Sequence, residues 1–214
     1  MDPDLYPWGG EYVTGNPDSP FAVVTLAEEL DLPLEKVAIH GKMKTENLGI
    51  EKVIANVISN PIIRFVVIFG EDIRGHRAGK SLLALHAHGL DEMRRIRNAP
   101  GAVPYIENLN DEAIARFRAQ VEMIDLIGET DQSVLMDHIS HVLERETEPF
   151  GEPFIAIRIR EESSASVAMG DSIALHRSLL LSPFLEIATM QTPESGLHLH
   201  RSIIVHVNGR VEPA

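Results

Sequence analysis

With ten histidines and no cysteine in 214 residues, any metal chemistry of this chain has to run through imidazole and oxygen ligands. Thiolate nucleophiles, disulfides and cysteine-held zinc or iron–sulfur sites are excluded. The histidine best placed for chemistry is His76, in the turn Gly70-Glu71-Asp72-Ile73-Arg74-Gly75-His76-Arg77-Ala78-Gly79-Lys80-Ser81. That turn follows the apolar run from Ile63 to Phe69 and leads into a helical stretch from Ser81. His76 is therefore expected just past the carboxyl end of a buried strand, where open α/β sheets bind ligands. Asp72 or Glu71 can accept the second imidazole N–H and fix the tautomer. The turn ends Gly79-Lys80-Ser81 like a phosphate loop, but Arg74 stands where that motif requires glycine, and a nucleotide triphosphatase is set aside. His86 and His88 are two apart on an expected helix, face different ways and do not share a metal. His198 and His200, two apart on an expected strand, share a face and form with His176 or His206 a candidate second metal site, short of the ligand number usual for zinc.

The elements that position His76 follow from hydrophobic periodicity. Phe21–Leu26 and Val37–His40 read as buried strands, after an irregular lead-in carrying Trp8 and Tyr12. Thr45 is expected to cap a helix whose stripe is Leu48, Ile50, Val53, Ile54, Val57 and Ile58, stopped by Asn60-Pro61. The nearly unbroken apolar run up to Phe69 suits a strand covered on both faces, and Gly89 can end the helix after it. Arg94, Arg95 and Arg97 stand as the basic cluster of the chain, before a strand-end loop from Pro100 to Asn108. Asp111–Ala119 reads as helix, Val121–Ile127 as strand and Gln132–Arg145 as an amphipathic helix. This βαβα rhythm implies a three-layer α/β domain with a mainly parallel sheet over residues 1–148. From 149 to 214 the pattern is β-rich, an extension expected to pack on that domain, with Leu-His-Arg-Ser occurring at both 175–178 and 199–202.

With 32 acidic against 19 basic residues the formal charge is −13, which opposes binding to nucleic acid and to anionic membranes. No segment approaches the ~18 consecutive apolar residues of a membrane helix, so no membrane insertion by this chain is expected. The acidic start Met1-Asp2-Pro3-Asp4 lacks the features of a signal peptide and points to the cytoplasm.

His76-Arg77-Ala78-Gly79 at a strand end is half of the signature by which one class of corrinoid proteins presents imidazole to cobalt. Taken together, Lys44-Thr45-Glu46-Asn47-Leu48-Gly49-Ile50-Glu51-Lys52, Ile54-Ala55-Asn56-Val57-Ile58-Ser59-Asn60-Pro61, Gly75-His76, Ala84-Leu85-His86 and Pro104-Tyr105-Ile106-Glu107-Asn108 resemble the corrinoid-carrying subunit of tetrahydromethanopterin S-methyltransferase, over roughly Tyr6 to Asp131. The resemblance implies a Rossmann-like domain holding a cobamide, with His76 as axial cobalt ligand. It also implies cofactor contacts from Thr45, Glu46, Asn47, Leu48, Gly49, Gly75, Gly79, Ser81, Pro104, Glu107 and Asn108. The function it implies is a methyl carrier between a tetrahydromethanopterin- or tetrahydrofolate-type C1 carrier and an acceptor such as a thiol. Such a carrier has no catalytic residue of its own and works with methyl-donor and methyl-acceptor methyltransferase subunits. The family has cysteine where this chain has Met43 and glutamine at Arg74 and Lys80, and its membrane-bound members end in a transmembrane helix where this chain is β-rich. A corrinoid- or pterin-binding storage or sensory module, and a cofactor-less interaction domain, are the alternative readings.

Overall fold

The computed structural model describes residues 5–143, 145 and 147–157, and the strands between 167 and 213. It divides into two compact units, Met1–Ile159 and Arg160–Ala214.

The first unit is built on a five-stranded sheet of order β1-β3-β2-β4-β5. Four of its strands, β2 (Phe21–Thr25), β3 (Ile39–Lys42), β4 (Phe65–Gly70) and β5 (Glu122–Ile127), run parallel. Every residue of β2 and β4 is buried, as the unbroken apolar runs require of strands covered on both faces. Alternate side chains serve opposite layers. Ala22, Val24, Val66 and Ile68 pack with α1 (Leu48–Ser59), α2 (Ala78–His88) and α3 (Asp111–Gln120). Phe21, Val23, Phe65, Val67 and Phe69 pack with Leu135, Ile139 and Val142 of α4 (Gln132–Leu143) and with Leu32 and Val37. At about 1.5–3 kcal/mol for each large apolar side chain fully buried, these two cores dominate the stability of the unit. The result is a three-layer Rossmann-like α/β fold.

The link from β2 to β3 runs on the α4 face and the links from β3 to β4 and from β4 to β5 run on the other, so the strand order reverses beside β2 and β4. The crevice outside their carboxyl ends is the place such sheets reserve for ligands. The turn carrying His76 rises from β4 at that point.

Three local readings change. The lead-in is not wholly irregular: Tyr12–Thr14 forms β1, pairing antiparallel with β3 at the sheet edge. The second sheet strand begins at Ile39 because Val37 turns into the α4-side core instead of pairing. Helix α2 begins at Ala78, not Ser81, because the Asp72 carboxylate caps it by accepting from the amides of Gly79 (3.2 Å) and Lys80 (3.1 Å). Gly79 sits at this start because an added Cβ would lie 2.9 Å from Leu26 Cδ1 and 3.0 Å from Ile127 Cδ1, so only glycine lets the first turn rest on the strand ends.

Past Glu148 the chain lies along the first unit: the amides of Phe150 and Phe154 donate to the carbonyls of Pro61 and Ile58. Arg116 stacks over the Phe150 ring at 4.7 Å and donates to the carbonyl oxygens of Phe150 and Glu152. The described strands of the second unit are antiparallel throughout, β6 (Val167–Met169) with β7 (Ile173–Leu175), and β8 (Leu179–Ser182), β9 (Ile187–Met190), β10 (Ile203–Val205) and β11 (Val211–Pro213) in the order β11-β10-β9-β8. His176, His198, His200 and His206, the candidate second metal site, lie outside the described residues. Among the described residues no helix is long and apolar enough to cross a membrane.

Candidate functional site

Two strand-end loops meet at His76. One, between β3 and α1, carries Glu46; the other, between β4 and α2, carries the histidine. His76 Nδ1 lies 2.8 Å from Glu46 Oε2, and the imidazole side chain is 53% exposed while that of Glu46 is only 2% exposed. The other carboxylate oxygen, Glu46 Oε1, accepts from the amide of Val103 at 2.8 Å. Burial pushes the Glu46 carboxyl up, but the amide of Val103, its own backbone amide and the His76 imidazole together outweigh burial and hold it below its ordinary value of 4.5. Glu46 is therefore an acceptor only, and the proton between the two side chains sits on His76 Nδ1. The lone pair of Nε2, which makes no hydrogen bond among the described residues, is left pointing away from the carboxylate.

This corrects one expectation from the sequence. The imidazole partner is neither Asp72 nor Glu71: Asp72 caps α2, and Glu71 donates its amide to Glu28 Oε2 at 2.9 Å. Glu46 is thirty positions from His76, and only the folded sheet brings them together.

A third loop closes the site. Gly101 lies against the pair so tightly that an added Cβ would sit 2.6 Å from Glu46 Cγ and 2.6 Å from the His76 carbonyl oxygen. Farther along, Glu51 on α1 is 1% exposed and gathers the amides of Glu107 (2.5 Å) and Asn108 (2.8 Å) on Oε1 and the Asn108 side-chain amide on Oε2 (2.6 Å). Arg94 braces the same loop through the Ile106 carbonyl at 2.6 Å, the Leu109 carbonyl and Asp111 at 2.9 Å. Two exposed apolar side chains flank Glu46: Leu48, 45% exposed, and Val103, 53% exposed.

Of the other residues singled out in the sequence, Thr45 Oγ1 accepts from the Gly49 amide at 2.9 Å, while Asn47 is the N-cap of α1 in its place. Thr45, Leu48 and Gly49 line a cavity of about 290 Å³ beneath α1, with Lys42, Lys44 and Lys52 at its polar side. Gly75 takes φ +91° ahead of His76. Ser81 is buried and donates to the Arg77 carbonyl, and Gly79 is buried under α2. Pro104 is buried, and Glu107 and Asn108 reach Glu51 instead of the imidazole. His86 Nε2 lies 2.9 Å from the Val121 carbonyl oxygen and the ring packs edge-on against Phe117, a structural role as expected. Glu51, Gly101 and Val103 are the contributors to which the sequence alone assigns no role. Glu51 did carry a signal: it is a carboxylate within the buried stripe between Ile50 and Ile54.

The fold and this pairing define an α/β domain that presents a carboxylate-oriented imidazole at the ligand edge of a parallel sheet. Residues 4–167 match the family model of MtrA, the A subunit of tetrahydromethanopterin S-methyltransferase, and the chain belongs to that family. It is 45% identical over 155 residues to the A1 subunit of tetrahydromethanopterin S-methyltransferase from Methanothermobacter thermautotrophicus, an alignment spanning 71% of this chain and 65% of that relative. It is 46% identical over 169 residues to the A subunit of the methyltransferase Mtx from Methanosarcina acetivorans, spanning 78% and 85% of the two chains. To the A2 subunit of the tetrahydromethanopterin enzyme from Methanothermobacter thermautotrophicus it is 42% identical over 166 residues, spanning 76% and 88%.

Proposed function

We propose that this chain is the corrinoid-carrying subunit of a methyltransferase, with His76 Nε2 as the axial ligand to the cobalt of a cobamide. In this reading a methyl group passes from a tetrahydromethanopterin-type C1 carrier to an acceptor such as a thiol, each bound by a partner subunit in the cell interior. The observation that carries it is the His76–Glu46 pair, an exposed imidazole whose proton is fixed on Nδ1 by a buried carboxylate. The names of the relatives supply the reaction class.

The donor set fits such a group. Among the described residues no cluster of three or more His, Asp or Glu side chains can hold an ion by itself. A metal engaged by His76 must therefore arrive with its other ligands in place, as a macrocycle provides. Leu48 and Val103 offer exposed apolar surface on either side of Glu46 to the edge of such a ring. The bound corrin would supply a cobalt centre that accepts and releases methyl. The chain supplies the rest. Glu46 holds the Nδ1 proton and orients the ring, Val103 and Gly101 hold Glu46, and Glu51 holds the loop that carries them. The shared amide and carboxylate contacts keep the imidazole in one tautomer whether or not Nε2 is engaged.

The test is incubation of the purified chain with hydroxocobalamin, gel filtration and visible spectroscopy. A coloured protein peak is expected. His76→Ala should shift the spectrum to a water-ligated form and weaken binding by about tenfold or more, by analogy with perturbed metal-site shells. His86→Ala should leave both unchanged, since His86 is tied to Val121. An unaltered spectrum in His76→Ala removes the assignment.

A further inference from the structure

On the opposite flank of the His76 turn, facing β5, lies a second cavity of about 320 Å³. Arg74, Arg77 and Lys80 line one side of it and Ile127 and Gly128 the other, with Glu71 and Asp72 at its edge. We propose that this cavity is an oxyanion subsite that takes the phosphate, sulfonate or carboxylate group of a small molecule using the His76 site. As a statement about ligands of that site the proposal rests on the methyl-carrier reading; the anion binding itself does not.

Four observations support it. The arginines that stand out in the sequence, Arg94, Arg95 and Arg97, are committed within the fold: Arg94 and Arg97 donate to loop carbonyls and Arg95 lies over the Tyr105 ring at 5.7 Å. Arg74, Arg77 and Lys80, by contrast, make no side-chain hydrogen bond or ion pair among the described residues, although the chain as a whole carries a formal charge of −13. Three cations held within seven positions repel one another, and a bound anion relieves that repulsion. Next, the acidic neighbours do not neutralise them: three cations against two carboxylates leave a net charge of +1 in the cavity, and both Asp72 oxygens already accept from the amides of Gly79 and Lys80. The shape is also that of a small-molecule site, for the volume falls at the lower end of ligand clefts and Ile127 offers an apolar wall for the body of the ligand. A flat acidic protein surface has no use for such a concavity. The last is placement: Arg74 and Arg77 stand on either side of His76 in one turn, so an anion gripped by their guanidinium forks lies beside the imidazole.

The experiment is calorimetric titration of the full chain at low ionic strength with inorganic phosphate, methanesulfonate and acetate. One saturable, salt-sensitive site is expected for at least one of them. Arg74→Gln combined with Lys80→Gln should weaken it by about tenfold or more, since each removes a charged hydrogen-bond donor. Lys42→Gln combined with Lys52→Gln, on the cavity beneath α1, should leave it unchanged. Circular dichroism of both variants checks folding. Repeating the titration after loading with cobalamin separates two sources that both uphold the subsite. Loss of phosphate binding assigns it to the phosphodiester of the cofactor, and retention assigns it to a substrate anion. Absence of saturable binding by the wild-type chain overturns the proposal, as does undiminished binding by the Arg74/Lys80 variant or binding of poly-glutamate with none of the three small anions. Phosphate binding retained by a His76→Ala chain that no longer perturbs cobalamin would sink the methyl-carrier reading alone.

Discussion

Glu46 and Glu51 stand five positions apart at the start of one helix, each is 1% exposed, and each grips the loop that runs from Gly101 to Asn108. They differ in what they leave over. Glu51 is saturated by groups of that loop, two main-chain amides and one side-chain amide. Glu46 gives one oxygen to the loop, through Val103, and aims the other at an exposed imidazole. A buried carboxylate whose acceptors are all taken by backbone is a clamp, whereas one that turns an oxygen to a solvent-facing titratable ring sets the state of that ring.

The largest effect should come from removing the clamp. Glu51→Ala strands three donors at once and is expected to cost about 3 kcal/mol in urea unfolding, as lost hydrogen bonds to a charged group. Gly101→Ala should cost about 2 kcal/mol through overpacking and should also loosen cobalamin, because the new methyl presses on Glu46 Cγ and on the His76 carbonyl. A stability loss without any change in cobalamin affinity would detach Gly101 from the site.

The sharpest separation comes from the isosteric pair. In Glu51→Gln the new NH₂ group can face Asn108, whose own amide flips to accept, so the variant should lose less than about 1 kcal/mol. In Glu46→Gln the Val103 amide holds the side-chain oxygen, so the NH₂ group faces His76 Nδ1 and donates to it. The imidazole must then carry its proton on Nε2, and the lone pair needed by a metal is gone. Cobalamin affinity should fall by about tenfold or more with little loss of fold stability. Nitrogen-15 shifts of the ring report the tautomer directly, and an unchanged Nδ1–H form would break the comparison. The same substitution has a signature in acid. Glu46 is held below its ordinary value of 4.5, so between the folded value and 4.5 the unfolded chain binds more protons. Its contribution to stability is complete above pH 4.5 and is lost as the pH falls through the folded value. Glu46→Gln should flatten that part of the acid-unfolding profile.

Much of this arrangement is legible in the sequence. The unbroken run from Phe65 to Phe69 announces a strand covered on both sides, and the stripe from Ile50 to Ile58 announces the helix beside it, because burial on one face imposes its period on the chain. His76 falls at the strand end for the same reason. The partner of His76 is not legible from spacing. Local reasoning reaches for Asp72, four residues away, and the backbone of α2 has the better claim on that carboxylate. The contact of Glu46 with His76 and Val103 bridges thirty and fifty-seven positions, and pairings of that range are set by strand order. The edge strand β1 is hidden for a related reason: Tyr12–Thr14 is too short to show alternation and exists because β3 offers it an edge.

The Asp72 cap also bears on how fast the imidazole can move. By joining residue 72 to the amides of residues 79 and 80 it ties the turn into a ring, closed inside by the amide of Arg77 donating to the Ile73 carbonyl. With Gly79 wedged against Leu26 and Ile127, little of that ring is free to travel, and Gly75, whose surroundings hold no atom within 4 Å of an added Cβ, is its open corner. Motion of His76 therefore reduces to rotation of one side chain and rocking of a short turn, on the picosecond to microsecond scale. Engagement and release of Nε2 would then outpace any slower docking of partner subunits, and the clock of a transfer cycle would be kept by the partners.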